Sequence, residues 1–363
     1  MSSRSRISSI PLSFKVAVLF YLSAANGLAI TVPTVLVGNT GNASDSVVAY
    51  NGTVPSDTTT GLGSVNYSYS IGKYEVTAGE YTAFLNSVAA TDTHALYVGN
   101  MSNTAYSGIS RAGLPGSYSY SVADPLRPAS FVSYWSAVRF TNWLSNGQVS
   151  GPQGPGTTET GSYTLTPVGI AANTVTRNAS ATWILPTENE WYKAAYYNAV
   201  GTTYYAYPTQ SNAIPGNSLP DLFGNNANLA LSGPYPAPIV TGHYTTQVGQ
   251  FSNSAGPYGT FDQGGNVYEW NEALTPLSSG VGLGRGIRGG SFGDDSASSA
   301  DRTLLLGVSP SYLSAVSGFR VAVVPEPASI GLMAFGATFL AWRIRNNRRS
   351  AARIVSSLDN ALR

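Results

Sequence analysis

The chain has 363 residues, a net charge of +1 and only 10% charged side chains. It is long enough for one large domain or two small ones and carries no basic footprint for nucleic acid. It has no cysteine and only two histidines, His94 and His243, which excludes disulfides, thiolate metal sites and cysteine nucleophiles and argues against a histidine-rich zinc or iron site.

Arg4, Arg6 and Lys15 precede an apolar run, Val16 to Ala25, and then small residues around Gly27 and Ala29. This is the layout of a signal peptide over residues 1–29; the alternative is a short membrane anchor. Residues 30–60 are rich in Gly, Thr, Ser and Asn and predict an irregular opening strand and loop. Val65-Asn-Tyr-Ser-Tyr-Ser-Ile71 alternates with period two and predicts a half-buried strand. A helix follows, because Thr77 and Glu80 have capping-box spacing and Tyr81, Phe84, Leu85 and Val88 share one face. Residues 90–124 have no period and predict loop. A second helix is capped by Ser133, lined by Ala137, Phe140 and Leu144, and ended by Gly147. Residues 148–178 suggest a hairpin or excursion around Tyr163-Thr-Leu165. Trp183-Ile-Leu-Pro-Thr-Glu-Asn-Glu-Trp191 opens a third helix, with Thr187 and Glu190 as its capping box. Glu188 and Glu190 are two carboxylates but do not face each other on a helix, so they read as capping groups rather than a glycosidase pair.

Residues 202–258 form a long polar and aromatic stretch, a length at which loops are often functional. It leads into Tyr258-Gly-Thr-Phe-Asp-Gln-Gly-Gly-Asn-Val-Tyr-Glu-Trp270. Asp262, Gln263, Gly264 and Gly265 favour a sharp turn, and Asn266 to Trp270 favours a strand. Two readings stay open: carbonyls and a carboxylate that ligate a hard cation, or a plain turn in which Asp262 caps its own backbone. Arg285-Gly-Ile-Arg-Gly-Gly-Ser-Phe292 and Ser317-Gly-Phe-Arg-Val-Ala322 read as strands bounded by glycine. Arg288 and Arg320 are either ligand-binding or internally paired. Finally, Val324-Pro-Glu-Pro-Ala-Ser329 precedes an apolar stretch, Ile330 to Trp342, and then Arg343, Arg345, Arg348 and Arg349. Roughly 15 apolar residues just cross a bilayer with snorkelling help, leaving the arginines and a short tail, residues 350–363, cytoplasmic.

The stretch ending at Trp270 resembles the Gly-Asn-Val-Trp-Glu-Trp signature of the formylglycine-generating enzyme (sulfatase-modifying factor) family. The 71–85 segment, the run into the Ser133 helix, the 183–191 segment, and the two Arg-containing strands agree with that family in order, from about Gly61 to Ala322. The resemblance implies an α+β fold: a single loop-rich domain, a variant of the C-type-lectin-like fold, with little regular secondary structure. It also implies one structural calcium, held by the Asp262 side chain and oxygens of Gln263, Gly265 and Val267. Ala227-Asn228-Leu229 resembles part of a second family calcium site, but Ser232 to Ile239 lacks its acidic partner, so one calcium is expected. The C-terminal segment resembles the PEP-CTERM sorting signal of bacterial envelope proteins. That implies export, at least transient membrane anchoring, a dedicated processing protease as a partner, and then the cell surface or extracellular matrix.

The leader layout and the two resemblances together divide the chain into a signal peptide (1–29), the family domain (30–323), the sorting segment with its transmembrane stretch (324–349) and the tail (350–363). The family oxidase converts a substrate cysteine to formylglycine with two copper-binding cysteines downstream of the Gly-Gly-Ser-aromatic turn. Asp294 and Ser299 stand at or near those places, and neither is a soft copper(I) ligand. Copper and that oxidase activity are therefore not expected. Iron-dependent sulfoxide synthases of the family need histidines, partly from an additional domain, that this chain lacks. The reading is a binding or structural module of the envelope, with Asp294, Asp295 and Ser299 lining a ligand cleft. Tyr204-Tyr-Ala-Tyr207 would serve as an apolar platform, and an envelope glycan or exported protein as partner. The alternative is an enzyme with unrecognised chemistry in the same cleft.

Overall fold

The computed structural model describes residues 29–49, 60–230, 238–277, 280–294 and 297–325. The expected leader up to residue 28, the apolar segment and tail beyond Pro325, and Asp295 lie outside the described residues. Among the described residues no helix is long and apolar enough to cross a membrane.

In chain order the elements are β1 (Thr34–Val37), β2 (Tyr69–Gly72), α1 (Ala78–Val88), β3 (Ile109–Ala112), β4 (Ser119–Val122), α2 (Tyr134–Ser145), α3 (Pro167–Ala171), β5 (Trp183–Ile184) and α4 (Glu188–Tyr196). They continue with β6 (Tyr197–Asn198), β7 (Thr203–Tyr204), β8 (Tyr268–Pro276), β9 (Leu283–Arg288), β10 (Leu306–Val308), β11 (Ser317–Gly318) and β12 (Ala322–Val323). Long stretches between them are irregular, giving a loop-rich α+β domain. One four-stranded sheet has the order β1-β2-β12-β5, and another has the order β10-β9-β8-β11. β12 pairs with both β2 and β5, placing Ala322 between Ile71 and Ile184. The end of the domain thus closes against its beginning.

The helices form where their caps and faces require. Thr77 Oγ1 accepts the Glu80 amide at 3.1 Å while Glu80 returns to the Thr77 amide at 2.8 Å. Thr187 and Glu190 repeat this reciprocal bonding at the head of α4. Ser133 caps α2, and Gly147, at φ +75°, stands just beyond its end. Between α1 and α2, Phe84 and Phe140 pack edge to face at 5.4 Å, and Phe140 meets Phe319 at 5.4 Å. Burying each such ring contributes about 1.5–3 kcal/mol, so this cluster fixes the helix pair against the closing segment.

Several boundaries differ from expectation. The strand expected over 65–71 starts only at Tyr69, and the one expected at Asn266 starts at Tyr268 and runs to Pro276. The 317–322 stretch splits into β11 and β12. The loop expected over 90–124 contains the β3–β4 hairpin. Its sequence has no apolar alternation because side-chain bonds place it: Asn86 on α1 bonds both the carbonyl and the amide of Tyr120, at 2.9 Å each.

Candidate functional site

The stretch leading into β8 is a strained turn. Asp262, Gly265 and Asn266 have φ of 60°, 80° and 59°, in the left-handed region that favours glycine and asparagine. Backbone bonds hold it from three sides. The Gly265 amide donates to Gly289 O (2.7 Å), the Asn266 amide to Asn228 O (2.9 Å), and the Phe292 amide to Asn266 O (2.9 Å). A Cβ at Gly289 would lie 2.6 Å from Gln263 O. The two glycine-rich stretches therefore meet backbone to backbone, and side chains on either would push them apart.

Beneath this turn lies a buried ionic cluster. Arg320 forks onto Glu269, with Nε and Nη2 at 2.5 and 2.6 Å from the two carboxylate oxygens. It also donates to Gly72 O and Phe261 O, both at 2.8 Å. Trp191 Nε1 completes Glu269 at 2.6 Å. Glu75, 1% exposed, accepts the Asn266 side-chain amide (2.8 Å) and the Val267 amide (3.1 Å). Burial, and then the Asp262 and Glu269 charges, hold its carboxyl well above the usual range. Asp262 accepts the Gly249 amide at 2.5 Å. Desolvation pushes its carboxyl up to about 6 despite that bond and the Arg320 charge. Three carboxylates thus share one guanidinium. Internal pairing is the observed state of both arginines: Arg288 forms a 2.5 Å ion pair with Glu188.

The donors around Asp262 are oxygens, the type a hard cation takes. Among the described residues Asp262 accepts only the Gly249 amide. Gln263 donates to Trp191 O at 3.3 Å, while its Oε1 is buried without a partner. The Asn266 and Tyr268 amides are turned to Asn228 O and Val316 O. In a planar trans peptide the carbonyl opposes the N–H, so the Gly265 and Val267 carbonyls point away from those partners. Oxygen donors beside buried carboxyl groups are of the type, and of the charge once ionised, that calcium takes.

The structure joins this turn to the loop after Gly289-Gly-Ser-Phe292. Tyr268 donates its hydroxyl to Asp294 Oδ1 at 2.9 Å, and Ser299 Oγ donates to the same oxygen at 3.0 Å. The Ser291 amide and hydroxyl occupy Oδ2, both at 2.7 Å. Asp294 and Ser299 therefore bond to each other, and the carboxylate organises the loop. Tyr204 and Tyr207 are 9% and 8% exposed and lie in the core. They form no platform, since Tyr204 packs on Tyr192 and Tyr197. The rings beside the loop are instead Tyr106, Tyr244 and Phe292, with centroids 5.3–5.7 Å apart.

Glu190 is buried, which raises its carboxyl, yet the Arg177 bonds and charge and the Tyr67 bond bring it below the ordinary value. With Glu188 on Arg288, neither carboxylate is placed as a catalytic pair. His94 lies 3.4 Å from Glu159, and His243 bonds Thr104 O; the two histidines share no partner. Sequence reasoning missed Glu75 and Glu269. Each sits in a motif beside residues that must be buried, Val76 for one and Tyr268 and Trp270 for the other, which was the available signal.

Three solved structures are similar to this chain at low identity. "Crystal Structure of CarF" matches at 21% identity and TM-score 0.48, over 82% of this chain and 99% of that one. Treponema denticola variable protein 1 matches at 21% and 0.47, over 80% and 95%. PvdO from Pseudomonas aeruginosa matches at 18% and 0.46, over 80% and 94%. No curated protein matches the sequence. Residues 323–349 match the PEP-CTERM protein-sorting motif. That motif marks export to the envelope, membrane association at the C-terminus, and a sorting machinery as partner. Residues 37–324, the whole of the turn, cluster and loop included, match the sulfatase-modifying factor enzyme 1-like domain, and the chain belongs to that family.

Proposed function

We propose that this protein is an envelope module that binds or scaffolds, without the copper-dependent formylglycine-generating activity of its family. The observation that carries the reading is the Asp294–Ser299 hydrogen bond. It stands where the resemblance assigns the two copper cysteines, in a chain with no cysteine at all. A carboxylate and a hydroxyl are hard donors, and soft copper(I) prefers sulfur. A sulfatase-motif peptide containing cysteine, incubated with the protein with and without copper, should yield no formylglycine by mass spectrometry. Its appearance would overturn the reading and favour unrecognised chemistry in the same cleft.

The proposal includes one structural calcium, held by the Asp262 carboxylate and oxygens of Gln263, Gly265 and Val267. Bound there, the ion would neutralise the surplus charge shared with Glu75 and Glu269. The ligand cleft is proposed at Asp294, Asp295 and Ser299. Asp294 positions Ser299 and Tyr268 within it, and an envelope glycan or exported protein is the occupant. Binding to envelope polysaccharide and to exported proteins is compared for wild type, Asp294→Ala and Asp295→Ala. Unchanged binding by both variants at equal stability would remove these carboxylates from the site.

A further inference from the structure

A second cavity, apart from the 291–299 loop, has a volume of about 580 Å³. It lies between the N-terminal segment 30–33, the turn from β2 into α1, and the loop carrying Leu126. Backbone bonds fix its walls: the Lys73 amide to Pro33 O (2.8 Å), the Gly79 amide to Pro125 O (3.0 Å), and the Val248 amide to Leu126 O (2.8 Å). Ile30, Val32, Leu126 and Val248 make it apolar, its two carboxyl-bearing lining residues are Glu75 and Glu80, and among the described residues no lysine, arginine or histidine lines it. Glu75 is committed to Asn266 and Val267. Glu80 Oε2 accepts both the amide and the hydroxyl of Thr77, at 2.8 and 2.9 Å. Among the described residues its Oε1 accepts no bond.

The surrounding cations are engaged elsewhere. Lys73 Nζ lies over the Tyr74 and Phe261 rings, 5.3 and 5.4 Å from their centroids. Arg127 is 3.1 Å from Asp124, and Arg320 is held by Glu269. A carboxylate oxygen with no protein partner among the described residues, beside an apolar space, selects a ligand with a cationic end and a hydrocarbon body. One free oxygen suits an ammonium, a compact donor group; a guanidinium fork calls for two acceptors side by side. An anionic headgroup would meet two carboxylates. We propose that this cavity binds an alkylammonium, with its nitrogen at Glu80 Oε1 and its chain against Ile30, Val32, Leu126 and Val248. This site is independent of the cleft at Asp294 and stands or falls separately.

The test is calorimetric titration of the full chain, in calcium-containing buffer, with n-hexylammonium, hexanoate and 1-hexanol. Hexylammonium should saturate one site, hexanoate should give no saturable heat, and hexanol should bind more weakly. Glu80→Gln keeps a capping-box residue at that position yet removes the charge, and should weaken hexylammonium by about tenfold or more. Leu126→Trp alters a wall residue that is 52% exposed, leaves the helix cap untouched, and should block binding. An Nα-acetyl-lysine methylamide arm distinguishes the sources: saturable binding assigns the ammonium to a lysine side chain, and binding of hexylammonium alone assigns it to a free amine. Failure of hexylammonium to saturate, equal affinity for hexanoate, or an unchanged affinity in Glu80→Gln would overturn the proposal.

Discussion

Arg320 is fully buried and binds four acceptors through one guanidinium. Removing it leaves Glu269 charged inside the protein. Breaking a buried pair on one side destabilises by about 3–5 kcal/mol, so Arg320→Met should shift urea unfolding by that amount, and Glu269→Gln added to it should recover part of the loss. If the double variant is no more stable than Arg320→Met, the Glu269 charge is not what destabilises the single variant. Asp262 makes a prediction of opposite sense. Its carboxyl in the folded protein is raised from an ordinary 3.8 to about 6, so the folded state binds the extra proton. In chelator, stability should therefore rise as pH falls through 6 and level off below the unfolded value. Burial raises Glu75 too and gives the same sign. A bound cation favours the ionised forms, so calcium should reverse the slope in that window. Urea midpoints from pH 7 to 4, with and without calcium, check both limbs; a chelated protein that only loses stability on acidification would contradict the desolvation argument.

Among the elements, α1, α2 and α4 were legible because a cap and a 3.6-residue face are local features that residues carry themselves. Thr187→Ala removes the oxygen that accepts the Glu190 amide at 3.1 Å. It should cost about 1 kcal/mol, the usual loss for an N-cap, read as a lowered urea midpoint. The strands were less legible because most are two to four residues long and are held by distant partners. β12 exists because β2 and β5 lie on either side of it, and nothing in Ala322 and Val323 alone announces that. The turn before β8 was legible as a turn from its glycines, and Asp262, Gln263, Gly265 and Val267 came from family resemblance. The acids that complete its charge balance were not legible, since Glu75 precedes Asp262 by 187 positions and only the fold unites them. The tyrosines at 204 and 207 misled for a related reason: an aromatic loop looks exposed in sequence, but Tyr204 is drawn inward by its hydroxyl bond to Ala43 O at 2.8 Å and by its packing on Tyr192.

At the scale of the molecule, the proposed calcium would link stability first to the ion. A ligand that binds only the folded state raises stability by RT ln(1 + [L]/Kd), about 2.7 kcal/mol at a hundredfold excess over Kd. Chelation should lower the melting temperature of wild type and much less that of Asp262→Ala; equal melting with and without chelator would restore the plain-turn reading. The second link is to processing. The closing segment carries Phe319, Arg320, Val321 and Ala322, each fully buried, and the Val324 amide bonds Thr182 O at 3.1 Å. The match to the family domain ends at residue 324, ahead of the apolar segment. Removal of the sorting segment after Pro325 should then leave a folded domain with an unchanged melting temperature, as release from a membrane requires. Ending the chain at Gly318 instead removes a core ring, the Arg320 fork and the strand between β2 and β5, and should abolish cooperative unfolding. Calorimetry on the two truncations decides it. Loss of the transition in the longer form would show that the sorting segment is part of the fold; a normal transition in the shorter form would show that the domain does not need its closing strand.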